Sequence, residues 1–329
     1  MLSMALLTAL LALPALADDE ICEDLKGEAG SLPSTAYRAV GTGPLRVIVG
    51  TLSGASPFLE GPGQTDSEDL YLIQIIDPAA FMARTVAPLE PPLFDTSLWL
   101  FDPCAGAALG NRLKPGMPGG PFAQLLPQAS DATGFVLSVP GPYYIGISGG
   151  TRQPGSEGGE MFIFAAPDEI SGPDGPGADF PLSEWFGSEE EGNYRVILDG
   201  VAFLGLQPVC PADLNSDGAV DAADLGLLLS GWGACPLGAA CLPDLNRSGK
   251  VDAADLGELL AAWGGCPLVG TPCGDPATGS CFEPDGSAGC SDPCCCTQVC
   301  ASFPQCCAVV WDQQCVQIAI MVCPGSPAR

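Results

Sequence analysis

Hydrophobic and polar positions alternate along the first part of the chain and change period near residue 207. In DLYLIQIID (69 to 77), Tyr71, Ile73 and Ile75 take one face while Leu72 and Gln74 take the other, which is the two-residue period of a strand. Similar runs are LRVIVGTL (45 to 52), DTSLWLFD (95 to 102), GFVLSV (134 to 139), PYYIGIS (142 to 148), EMFIFAA (160 to 166) and NYRVILDGVAF (193 to 203). They are separated by Gly- and Pro-rich stretches such as GPGQTDSED and GPDGPGADF. The pattern predicts an all-β antiparallel sandwich over residues 18 to 206.

Tyr71, Trp99, Phe101, Tyr143, Tyr144, Phe162 and Phe164 all fall in strand-like runs and read first as core. Alternation puts Trp99 and Phe101 opposite Leu98 and Leu100, so one of these sets lies at a surface or under a loop. A sugar-stacking platform is the second reading. Asp69, Asp77, Asp95 and Asp102 end strand-like runs, where turn chemistry explains them and a structural calcium is the alternative.

Beyond residue 207 the apolar positions recur at i, i+3, i+4 and i+7. Leu225, Leu228, Leu229 and Trp232 form one stripe and Leu256, Leu259, Leu260 and Trp263 form another, so each predicts a helix of about three turns. The stretches 210 to 237 and 241 to 268 are identical at 19 of 28 positions without a gap, an internal duplication. Neither short helix can bury its stripe alone, so the two are expected to pack about a pseudo-twofold axis. No helix precedes either loop, because Pro211 and Pro243 stand just before DLNSDGAVDAADLG and DLNRSGKVDAADLG.

Each of these loops spaces its oxygens as a calcium site does. Counting Asp213 as position 1, the donors are Asp213, Asn215, Asp217, the Ala219 carbonyl, Asp221 and Asp224, with Gly218 at the turn. Calcium takes about six to eight hard oxygen ligands, which a twelve-residue loop with glycine at position 6 can supply. The second set is Asp244, Asn246, Ser248, the Lys250 carbonyl, Asp252 and Asp255, with Gly249 at the turn. It has three carboxylates where the first has four, and Arg247 and Lys250 lie close, so two calcium sites are expected with the second weaker. The alternative for either loop alone is an Asx-rich turn with Asp221 or Asp252 capping the helix.

Charge and composition narrow the partners. The 329-residue chain has 39 acidic and 11 basic side chains, and a formal charge of −28 repels phosphate backbones and anionic lipid. With no histidine, Ser-His-Asp, Cys-His and HExxH chemistry are excluded. A carboxylate pair for glycoside hydrolysis remains open, though nothing selects one. The start, MLSMALLTALLALPALADDE, reads as a secretory signal over residues 1 to 17. No membrane span is expected, since its apolar core falls short of roughly 20 residues and the run 308 to 322 is broken by Asp312, Gln313 and Gln314.

Seventeen cysteines in an exported chain point to disulfides, with an all-thiolate zinc site as the rival. Cys210 and Cys235 bracket the first copy and Cys241 and Cys266 the second, which suggests one disulfide per copy or, alternatively, cross-repeat pairing. Residues 269 to 329 form a third segment with 11 cysteines between 273 and 323, where about five disulfides would staple two short helices, the second running from Cys306 to Val322. The total is odd, and Cys22 is the candidate for the thiol left over or bridging to another chain.

Two tandem calcium loops, each followed by one helix, resemble a dockerin domain over residues 207 to 268. The resemblance implies a protein-protein plug for a cohesin-type partner at a cell surface or in an extracellular assembly. Ala222, Ala223, Ala253 and Ala254 occupy loop positions 10 and 11, where familiar dockerins carry hydroxyls for cohesin, so an apolar contact would replace them. DLYLIQIIDPAAF, DTSLWLFDPCAGAALGN and GPYYIGISG resemble the pre-peptidase C-terminal type of sandwich, which implies an accessory module. The tail looks like a small cysteine-rich module that trails some dockerin-bearing proteins. The leading reading is a secreted, non-catalytic calcium-binding protein. Its alternatives are a polysaccharide-degrading component of glycosyl hydrolase type and a carbohydrate-binding module.

Overall fold

The computed structural model describes residues 19–23, 28–53, 66–86, 95–112, 122–166, 168–205, 207–208, 212–215, 219–235, 241–246, 248–265 and 268–323. The segment read as a secretory signal, Asp217, Cys210 and Cys266 lie outside them, as do Gly218 and Arg247.

Two sheets share one core. The first runs in the order Glu20–Cys22, Val47–Leu52, Gly192–Asp199, Met82–Val86, Gln124–Leu125. The second runs Ile170–Ser171, Ala107–Arg112, Thr96–Phe101, Gly141–Gly149, Glu68–Ile75, Val201–Ala202, with Tyr37–Arg38 also on Glu68–Ile75. Ile48, Leu52, Val196 and Leu198 of the first meet Tyr71, Ile73, Leu98, Leu100 and Ile145 of the second, as alternation requires. Most strands are antiparallel, but Glu20–Cys22 lies parallel to Val47–Leu52 and Tyr37–Arg38 parallel to Glu68–Ile75. Cys22 is thereby half-buried in an edge strand.

The other face of the larger sheet is also covered. Leu70, Leu72, Trp99, Phe101 and Tyr144 form a second core with Met161, Phe162 and Leu182, so neither set of the Thr96–Phe101 strand faces solvent. The runs at 134 to 139 and 160 to 166 are not full strands. Val136 makes one bridge, to Gln128, and of the second run only Glu160 pairs, at the end of the strand Gly159–Glu160. That second run serves as cover instead, with Phe162 and Phe164 packed on Trp99 at centroid distances of 5.5 and 5.9 Å.

Five helices are present among the described residues: α1 (Ala222–Ser230), α2 (Ala253–Ala261), α3 (Pro293–Ser302), α4 (Gln305–Ala308) and α5 (Gln313–Val322). The last two correct the expected single run from Cys306 to Val322. The chain leaves the helix after Ala308, and Asp312 restarts it by accepting the N–H groups of Gln314 and Cys315. Asp312 is thus a helix start, not an interruption. No helix among the described residues is long and apolar enough to cross a membrane.

The cysteine-rich module is built around fully buried Trp311 and five internal disulfides, Cys273–Cys296, Cys281–Cys290, Cys295–Cys323, Cys300–Cys307 and Cys306–Cys315. Its eleventh cysteine, Cys294, bonds to Cys104 of the sandwich, 190 residues away. Arg38 Nη1 adds hydrogen bonds to the carbonyls of Gly274 (2.8 Å) and Ser291 (2.7 Å) across the same junction.

Candidate metal and partner site

The duplicated segment enters and leaves at one place, where Gln207–Pro208 pairs antiparallel with Leu268–Val269. Inside it the two copies exchange strands. Ala219 and Val220 of the first loop pair with Gly265 and Gly264 behind α2, and Lys250 and Val251 of the second loop pair with Ala234 and Gly233 behind α1. These registers map onto one another residue for residue under the repeat, which gives the pseudo-twofold arrangement its hydrogen bonds. Val220, Leu228, Val251, Leu259 and Ala212 make the small core between the copies.

The exchange explains why the expected disulfides within each copy do not form. The segment behind α1 is carried to the second loop, where Cys235 N–H donates to the Gly249 carbonyl at 3.0 Å. Cys235 therefore lies beside Cys241, and these two are bonded across the repeats with a Cα separation of 5.7 Å.

Each helix begins with a reciprocal cap. Asp221 accepts the Ala223 N–H at 2.7 Å and Asp252 the Ala254 N–H at 2.8 Å. Asp224 and Asp255, three residues on, return a carboxylate oxygen to the N-cap N–H at 2.8 Å each. Their other oxygens reach back across the loops. Asp224 Oδ1 accepts from Leu214 (2.8 Å) and Asn215 (3.2 Å), and Asp255 Oδ1 accepts from Asn246 (3.2 Å). Position 12 thus fastens loop to helix in both copies.

No family model, curated protein or solved structure matches the chain.

The second loop can be tested for its fit to a hard cation. Ser248 N–H is shared between Asp244 Oδ1 (2.9 Å) and Asn246 Oδ1 (3.0 Å), while Ser248 Oγ donates to the Lys250 carbonyl at 3.1 Å. Gly249 N–H donates to Asp244 Oδ2 at 2.7 Å. The oxygens of positions 1, 3, 5 and 7 therefore gather about one turn, as a calcium loop arranges them. Gly249 has φ +88°, and a Cβ there would touch nothing, so backbone conformation and not space calls for glycine. Asp252 is the exception. Its free oxygen meets Lys250 Nζ at 2.7 Å, and that hydrogen bond is the first cause that lowers the carboxyl below its ordinary range. Position 9 commonly reaches calcium through water. In the first loop Asp213 is buried, Asn215 exposed and Ala219 half-buried.

Ala222, Ala223, Ala253 and Ala254 are all exposed on the first turns of their helices. The stripe residues divide in a way their spacing did not indicate. Leu228 and Leu259 are buried and Leu225 and Leu256 half-buried, but Leu229 and Leu260 are 51% and 52% exposed and Trp232 and Trp263 are each 49% exposed. The helices are nine residues long and cap at Gly231 and Ala262, so each tryptophan lies beyond its helix, at the turn into the exchanged strand. Helical spacing aligns Ala222, Gly226 and Leu229 on one exposed stripe, and Ala253, Gly257 and Leu260 on its twin.

The other candidate chemistry disperses. Tyr71, Trp99, Phe101, Tyr143, Tyr144 and Phe162 are buried and Phe164 half-buried, so these rings offer no sugar-stacking surface. Asp77 and Asp102 hold turns by accepting from Ala79, Ala80, Cys104 and Gly106, whereas Asp69 is enclosed beneath Tyr194. The sulfurs of Cys273, Cys296, Cys300 and Cys307 cluster, but as two disulfides.

Proposed function

We propose that residues 207 to 268 are a calcium-stiffened, dockerin-like plug that attaches an exported, non-catalytic protein to a cohesin-type or other protein partner. The observation that carries this reading is the matched pair of loop-to-helix clasps, Asp224 and Asp255, each on a loop whose remaining acids follow calcium spacing. Asp213, Asn215, Asp217, the Ala219 carbonyl, Asp221 and Asp224 would hold one ion. Asp244, Asn246, Ser248, the Lys250 carbonyl and Asp255 would hold the other, with Asp252 acting through water. The ion's part is electrostatic, to draw these oxygens together. The partner would meet the duplicated Ala-Gly-Leu stripes and their flanking tryptophans, an apolar contact in place of a hydroxyl-based one. Seven disulfides among the described residues fit an oxidising compartment and so support export.

Calorimetric calcium titration of the full, disulfide-intact chain tests the reading, with circular dichroism in parallel. Two binding events are expected, the tighter one lost in Asp213→Ala and helix signal growing with calcium. Absence of binding below millimolar calcium would leave two acidic turns held by their caps, and the plug would have no metal to depend on.

A further inference from the structure

A cavity of about 570 Å³ lies between the sandwich and the cysteine-rich module, away from the calcium-type loops. Pro103, Pro140 and Tyr143 form one wall, and Pro272, Ala301 and Ala308 belong to the other. Its size falls in the range of about 300–1,000 Å³ that small-molecule sites occupy.

Three properties separate it from a casual crevice. Its walls are stiff: five prolines line it, as do the disulfide-bonded Cys273, Cys300 and Cys307, and Cys104–Cys294 clamps the two sides together. A site fixed in this way loses little ordering entropy when it fills. No lining residue is charged, in a chain of formal charge −28. An anion or cation entering it would lose hydration without gaining a counter-charge. Thirdly, Thr271 and Thr297 line the cavity, and both of their hydroxyls are buried without a hydrogen-bond partner. Neither hydroxyl is exposed to the cavity in its present rotamer; a turn about χ1 would bring it to the wall, where it can both donate and accept. Tyr143 is not available for this, because its hydroxyl already donates to the Val139 carbonyl at 2.9 Å.

We propose that this cavity binds an uncharged, largely apolar small molecule that presents one hydrogen-bonding group to Thr271 and Thr297. The prolines and the Tyr143 ring take the skeleton, and the threonines take its polar end.

Three probes on one skeleton test each part of the proposal on the full chain by calorimetry: 1-naphthol, naphthalene and naphthalene-1-sulfonate. The expected result is a single saturable site for naphthol, about fivefold weaker for naphthalene, which lacks the hydroxyl. For the sulfonate it should be weaker by a further factor of about ten or more. Ala301→Trp and Ala308→Trp, on exposed positions of α3 and α4, should each abolish the site by filling it. Trp232→Ala with Trp263→Ala, which alters exposed apolar residues of the repeats instead, should leave it unchanged. Thr271→Val with Thr297→Val, nearly the same shape without hydroxyls, should make naphthol bind no better than naphthalene. The proposal is overturned if naphthol shows no saturable site, if both tryptophan fillings leave it intact, if the sulfonate binds as well, or if the double valine variant keeps the naphthol preference.

Discussion

The carboxylate of Asp255 accepts the backbone N–H of Asn246 at 3.2 Å, and Asp224 accepts that of Asn215 at the same distance. Both carboxylates are fully buried, and each also holds the N–H of its own helix cap. Asp224→Ala leaves the Leu214, Asn215 and Asp221 donors without this partner. It should destabilise the repeat unit by about 3 kcal/mol, since each buried unsatisfied donor costs roughly 1–3 kcal/mol and water recovers part. Denaturation followed by tryptophan fluorescence in excess chelator measures this apart from any metal effect. A loss that appears only with calcium present would show that Asp224 acts through the ion and that its three hydrogen bonds add nothing by themselves.

Lys250 bears on the same loop from the other side. Its ammonium rests on Asp252 at 2.7 Å, and that hydrogen bond is the first cause that raises its own pKa. Lys250→Met keeps the stem and frees the carboxylate. On the proposed reading of the loops, the second calcium event should tighten by about two- to fivefold, the scale of an exposed ion pair, while the first stays put. Weaker binding in the variant would mean that the lysine helps to shape the loop.

Gly226 and Gly257 sit inside α1 and α2, and a Cβ at either would meet nothing within 4 Å. Gly226→Ala and Gly257→Ala should each stabilise the unit by roughly 0.5–1 kcal/mol, because alanine forfeits less backbone freedom on folding. Chemical denaturation of the full chain reads this directly. If a partner lies flat on the glycines, the same variants should weaken its binding as they raise stability.

The two repeats and most of the strand runs were legible because spacing carries them. Tyr71, Ile73 and Ile75 face the core as alternation requires, and the clasp residues stand at the last position of each calcium-type loop. What spacing could not carry was which face meets what. Leu229 and Trp232 continue an i, i+4 pattern yet are exposed, since a helix of nine residues ends before the pattern does. The Cys235–Cys241 bond depends on a strand exchange that local sequence does not encode, and Cys104–Cys294 on a contact 190 residues apart. For Trp99 alternation left a surface or a loop as the two outcomes, and the residues that bury it arrive on an irregular segment near Phe162.

Stability of the sandwich should fall as pH rises toward neutrality. Burial pushes the Glu23 carboxyl up to about 7, helped by Asp66 and opposed by hydrogen bonds from Ala29 and Thr51. Burial also raises Asp69 well above its ordinary range, reinforced by Glu23 and Asp66. A raised carboxyl keeps in the folded state a proton that the unfolded chain has released. Its contribution is therefore whole below the model-peptide value and lost as pH climbs through the folded one. For Glu23 this interval runs from 4.5 to about 7 and is worth up to about 3 kcal/mol at 1.36 kcal/mol per pH unit. Melting temperatures between pH 4 and 8 should decline across it, and Asp69→Asn, which keeps the bond from Tyr194, should flatten the decline and stabilise at pH 8. A flat wild-type profile would show these carboxyls ionised without penalty.

In the duplicated segment, the strand completing each loop comes from the other copy, with the same register both ways. A single copy is accordingly half an object, with one edge to give and one to receive. Two separate copies could satisfy each other through the same contacts, which makes the tandem unit a symmetric dimer written on one continuous thread. The Cys235–Cys241 bond then ties the two halves to each other covalently.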